Sequence, residues 1–97
     1  MFEIIYTHSA REDIWTFKKQ EQTIIADSIE EHLRHQPDVE TRNRKKLRPN
    51  LTAQWELRAE NYRVLYDVDE IEQKVEVKLV GRKVGAMLMV RGQEYRI

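Results

Sequence analysis

The chain has 97 residues, 40% of them hydrophobic and 35% charged, with 17 basic and 17 acidic side chains and no cysteine. That is enough for one hydrophobic core and too little for two, so residues 1–97 are expected to form a single domain. The composition is too apolar for a disordered chain. The longest apolar run, Ala86 to Val90, falls far short of the roughly 20 residues a spanning helix needs, which excludes such a helix. The lack of cysteine excludes a disulfide scaffold, a zinc ribbon and a thiol nucleophile. An acid at Glu3 and no basic leader predict no signal peptide, and a cytoplasmic location is the expectation. The charge is zero in sum but uneven. Residues 1–40 hold nine acids and four bases, and residues 41–97 hold eight acids and thirteen bases. Such asymmetry fits either an acidic partner met by the second half or two differently solvated layers.

Phe2 to Tyr6 is short, β-branched and aromatic, and predicts a strand. Ser9-Ala10-Arg11-Glu12 has the form of a capping box, with Ser9 at the N-cap of a helix carrying Ile14, Trp15 and Phe17. From about Glu21, Ile25, Ile29 and Leu33 recur at i, i+4 and i+8, which predicts a second amphipathic helix. Pro37 ends it. Residues 38–50 are expected to be a polar connection. Gln54–Arg58, Tyr62–Val68 and Val75–Val80 each alternate and predict three strands of a meander. Asn61 is expected to take positive φ in the first hairpin turn, and Gly81 to end the last strand. Met87–Val90 forms either a fifth strand or a short helix, and Arg91–Ile97 a tail. The expected architecture is α+β, with two N-terminal helices packed on an antiparallel sheet, in the order β-α-α-β-β-β plus a short C-terminal element. Trp15, Phe17, Ile25, Ile29, Leu33, Trp55, Leu57, Val64 and Val77 are its expected core.

Arg42, Arg44, Lys45, Lys46 and Arg48 place five bases in seven positions. Such a run suits a nucleic-acid backbone or, as runs this short usually are, a solvated loop. His32 and His35 have the i, i+3 spacing of a metal pair, but no cysteine or carboxylate set accompanies them. Neither a metal nor another cofactor is expected. A glycine-rich phosphate loop and a nucleophile elbow are both absent.

The stretch Leu47-Arg48-Pro49-Asn50-Leu51, then Trp55-Glu56-Leu57-Arg58, Tyr62-Arg63-Val64-Leu65-Tyr66-Asp67-Val68 and Val80-Gly81-Arg82-Lys83 resembles the RelE/ParE superfamily of type II toxins. Chain length and the strand–helix–helix–meander order resemble it too. The resemblance implies a toxin neutralised by a cognate antitoxin. It further implies an mRNA endoribonuclease acting on ribosome-bound mRNA and inhibiting translation, as in the RelE branch. The alternatives are a ParE-like, non-catalytic inhibitor of DNA gyrase, or a toxin fold whose activity is lost.

Metal-free RNA cleavage needs a base for the 2′-hydroxyl, cations for the phosphorane, an acid for the leaving 5′-oxygen and an in-line geometry. By resemblance Arg63 is the main phosphate cation, with Arg58 and Lys83 in support. Arginine suits that task because its fork holds phosphate bidentately and stays charged. Tyr95 is the C-terminal candidate for acid, base or stacking partner. Arg82, Arg91, Lys45, Lys46 and Arg48 are candidate RNA contacts. The family's lysines on the preceding strand fall on Gln54 and Glu56 here, and an upstream glutamate of some relatives falls on Lys45. Glu56 is therefore either a general base or a solvated surface carboxylate.

Overall fold

The computed structural model describes residues 1–97. The chain runs β1 (Glu3–Tyr6), α1 (His8–Trp15), α2 (Lys19–Leu33), β2 (Arg44–Lys46), β3 (Trp55–Ala59), β4 (Tyr62–Asp69), β5 (Lys74–Val84), β6 (Met87–Val90) and β7 (Gln93–Tyr95). All seven strands form one sheet in the order β2-β3-β4-β5-β6-β7, with β1 on β5. The β1–β5 pair is parallel and every other pair is antiparallel. The strand–helix–helix–meander order is as expected. No helix is long and apolar enough to cross a membrane.

The main core lies between the helices and one sheet face. Ile25, Ile29 and Leu33 of α2 are fully buried against Trp55, Leu57, Tyr62, Val64, Tyr66, Val75, Val77 and Val80. Burying one such side chain contributes about 1.5–3 kcal/mol. The Tyr66 hydroxyl donates to the Pro37 carbonyl oxygen at 2.7 Å. Burial pushes this phenol far above its usual pKa, so it stays a donor.

Several expectations need correction. Trp15 is 67% exposed and lies outside the core, and Phe17 only borders it. At about 100° per residue Trp15 lies roughly 140° from Ala10 and 200° from Asp13 around α1, so it cannot share their buried face. Thr7, not Ser9, caps α1, its hydroxyl accepting from the Ala10 N–H. The connection after α2 contains a strand, β2, whose Arg44 is buried and donates to the carbonyls of His32 and Val39. Arg44 thus serves a free carbonyl in the last turn of α2. In the β3–β4 turn the positive φ falls on Glu60 (55°) and not on Asn61. β5 runs through Gly81 to Val84, and the tail forms β7.

β4 pairs with β5 from Lys74 to Arg82 along one edge. β1 and β6 therefore share the other edge, β1 at Lys74–Val77 and β6 at Arg82–Val84. Lys78–Gly81 is left between them. Side chains of α1 and its cap fill that gap. The Thr7 hydroxyl donates to the Lys78 carbonyl, and Asp13 Oδ2 accepts the Val80 N–H at 3.0 Å.

Candidate active site on the open sheet face

Strand alternation sends one set of side chains to the face away from the helices. Registers place Lys45 opposite Glu56, Glu56 opposite Leu65, Arg58 opposite Arg63, and Arg63 opposite Gly81. Lys83 lies opposite Leu88, and Leu88 opposite Tyr95. A second, small apolar cluster underlies this face. Ala53, Leu65 and Leu79 are buried there, with Leu47, Leu88, Val90 and Tyr95 against them.

Arg58, Arg63 and Lys83 lie on strands that come together at the β3–β4 hairpin end. The Lys83 backbone N–H donates to the Asn61 carbonyl at 2.7 Å, which fastens β5 to that turn. Arg63 Nη1 donates to the carbonyls of Glu60 and Tyr62, both at 2.9 Å. Neither Arg63 nor Lys83 belongs to a salt bridge. Like charges directly opposite in a sheet are unfavourable by some tenths of a kcal/mol up to about 1 kcal/mol. Glu56 offsets part of that cost, because Arg58 Nε donates to its Oε1 at 2.8 Å. The Glu56 side chain is only 13% exposed. It is a largely buried carboxylate in mid-sheet rather than a solvated surface group.

The other sequence candidates lie elsewhere. Arg82 faces the helices. Its Nη1 meets Glu21 at 3.1 Å, and its guanidinium stacks 5.1 Å from the Phe17 ring and 5.7 Å from Tyr62. The Tyr62 hydroxyl also donates to Glu21. Arg82, helped by the Lys18 N–H, holds the Glu21 carboxyl below the usual range, while burial and then Glu21 push the Tyr62 phenol up. Arg91 also turns to the helix side, onto Asp13, Ser9 and Glu12. Lys46 sits 5.9 Å over the Trp55 ring. Arg48 is in the loop before β3, where it lines a pocket with Lys78 and Asp67. The Tyr95 hydroxyl bonds to the Thr52 hydroxyl at 2.9 Å, away from the arginine pair. The open face thus gathers Glu56, Arg58, Arg63 and Lys83, with Lys45 one strand further. No three carboxylate or imidazole side chains converge to hold a metal.

Asp13 was not singled out by sequence. Its only sequence signal is an acid at i+3 from Ala10 on the buried side of α1.

Two helices thus lie on one face of the sheet and the basic residues Arg58, Arg63 and Lys83 on the other. The chain is similar to a chain of the toxin–antitoxin complex RelBE2 from Mycobacterium tuberculosis, with a TM-score of 0.74 and 23% identity over 84% of this chain and 91% of that one. At that identity the likeness establishes the fold. No family model and no curated protein matches the chain.

Proposed function

We propose that the protein is the toxin of a type II toxin–antitoxin pair and an endoribonuclease that cuts ribosome-bound mRNA. The observation that carries this reading is that Arg58, Arg63 and Lys83 share one sheet face, with the nearly buried Glu56 bonded to Arg58. In this scheme Glu56 takes the 2′-hydroxyl proton as the 2′-oxygen attacks the adjacent phosphorus. Arg63, and Arg58 as it swings from Glu56 to the phosphate, meet the charge that grows on the phosphorane. Lys83 protonates the departing 5′-oxygen, leaving a 2′,3′-cyclic phosphate and a 5′-hydroxyl. A carboxylate already bonded to a guanidinium is pre-aligned for such an exchange, because the phosphate replaces it as the partner of Arg58. A cognate antitoxin would present acidic residues to the same face and block it by charge and bulk.

Primer extension on mRNA from a translation reaction, with and without the protein, tests the reading. Cuts within ribosome-bound message are expected. Arg63→Ala should lower cutting about 100- to 1000-fold with an unchanged circular dichroism spectrum. Arg63→Lys should recover only part, since a point charge lacks the fork. Arrested supercoiling by gyrase without any RNA cut would overturn the ribonuclease reading in favour of gyrase inhibition.

A further inference from the structure

The β6–β7 hairpin is held to the body by little backbone pairing. It meets β5 over three residue pairs only, Arg82–Met89, Lys83–Leu88 and Val84–Met87. Yet it supplies Leu88 and Val90, which stand over Gly81 beside Arg63. A Cβ on Gly81 would lie 3.1 Å from Leu88 Cδ1 and 3.0 Å from Val90 Cγ2.

Leu88, Val90 and Tyr95 pack on the small apolar cluster and Tyr95 bonds to Thr52, and a further, polar fastening comes from the tip. Arg91 and Gly92 are the two residues joining β6 to β7, and both have positive φ, 51° and 77°. Two positive φ values are the pattern of primed hairpin turns, which favour Asn-Gly or Gly-Gly. An arginine in the first place is strained, and such strain persists only where surrounding contacts enforce it. Here Arg91 Nε donates to Asp13 Oδ1 at 2.6 Å, and Nη2 donates to the Ser9 carbonyl and hydroxyl at 3.2 and 3.0 Å. The Asp13 side chain is 2% exposed, and its other oxygen takes the Val80 N–H. One buried carboxylate therefore closes the gap in the β5 edge and holds the hairpin tip.

We propose that Asp13 and Arg91 are a positioning pair for the active site. By clasping the β6–β7 tip to α1 they fix the Leu88–Val90 wall and the end of β5 that carries Lys83, and so set where Lys83 and Arg63 stand relative to each other. Arg91 then contributes to RNA cutting without touching RNA. This rests on the ribonuclease reading for its consequence, but not for its structural part.

Full-length Arg91→Ala and Arg91→Lys test it with two readouts. The first is NMR of the Arg63 Nε–H and Lys83 ammonium signals, together with amide exchange along β6 and β7. In Arg91→Ala, exchange at residues 88–95 should rise about 10-fold or more, β3 and β4 should stay protected, and both side-chain signals should move. Arg91→Lys should return them part of the way. The second is cleavage of ribosome-bound mRNA, where kcat should fall about 10-fold or more, toward the roughly 100-fold that a 1 Å misplacement can cost, and KM should stay within about two-fold. Asp13→Asn, which keeps an acceptor for Val80, should fall between wild type and Arg91→Ala. Unmoved Arg63 and Lys83 signals, or unchanged exchange in the hairpin, would overturn the proposal. A full kcat despite a loosened hairpin would overturn it too. A wild-type protein that cuts nothing would sink the ribonuclease reading alone, and the NMR arm would still decide whether the pair places the two cations.

Discussion

Gly81→Ala probes the packing beneath the candidate site. A methyl group there would lie 2.6 Å from the Met89 carbonyl oxygen, besides its contacts to Val90 and Leu88. The two side chains can rotate aside. The carbonyl cannot, because Met89 is paired with Arg82 on one side and Glu94 on the other. Forcing an extra methyl group into such a site typically costs about 1–3 kcal/mol. Alanine recovers about 0.5–1 kcal/mol of that, since glycine loses more backbone freedom in a strand. At the middle of both ranges the steric term wins by about 1.2 kcal/mol. For a domain of this size that lowers Tm by about 5–10 °C. A thermal melt followed by circular dichroism measures it, with Val80→Ala as a cavity control. A Tm equal to or above wild type would refute the claim that β6 packs its backbone directly on Gly81.

Ile29→Ala should cost about 2–5 kcal/mol, because the side chain is fully buried and its cavity is walled by sheet residues that cannot collapse; a urea midpoint unchanged from wild type would contradict that. The Glu21 carboxyl is held below its ordinary value by Arg82 and the Lys18 N–H, so its stabilising contribution is present above about pH 4.5 and is lost as pH falls through the lowered folded-state value. Glu21→Gln should therefore flatten stability against pH on the acid side while changing nothing in its shape above pH 6, and parallel curves for the two proteins would refute the assignment.

The elements that the sequence revealed are those where one periodicity dominates. The α2 stripe of Ile25, Ile29 and Leu33 is buried as its spacing requires, and the alternation of Trp55–Ala59 and Tyr62–Val68 puts Trp55, Leu57 and Val64 inside. What stayed hidden depends on distant partners. β2 is three charged residues, and nothing local marks Arg44-Lys45-Lys46 as a strand until β3 offers its edge. β7 reads as a polar tail because its pairing needs only backbone. Trp15 looks like a core residue by type alone, although short α1 spends its buried face on Ala10 and Asp13. The site divides in the same way. Arg63 and Lys83 were legible from the resemblance, and the strand period sends them to one face. Arg82 follows Gly81 as closely as Lys83 follows Arg82, yet that one-residue step turns it to the helices and Glu21.

The face that holds Arg58 opposite Arg63 is poorly explained by folding. A sheet gains more from an apolar or oppositely charged pair at those positions, and the repulsion is offset on one side only, by Glu56. Buried polar groups elsewhere in the molecule are fully served, with Asp13, Arg44 and the Tyr66 hydroxyl each bonded. The chain therefore satisfies its polar groups where structure needs it, yet in mid-sheet it leaves Arg63 bonded to the carbonyls of Glu60 and Tyr62 with no carboxylate partner. A cation fixed in this way is a standing electrostatic field for an anion, with little reorganisation to undergo when one arrives. That is the physical reason to look for function at Arg63 rather than at the longer basic run of Arg42 to Arg48. In that run Arg44 is consumed by capping α2 and Lys46 lies over Trp55.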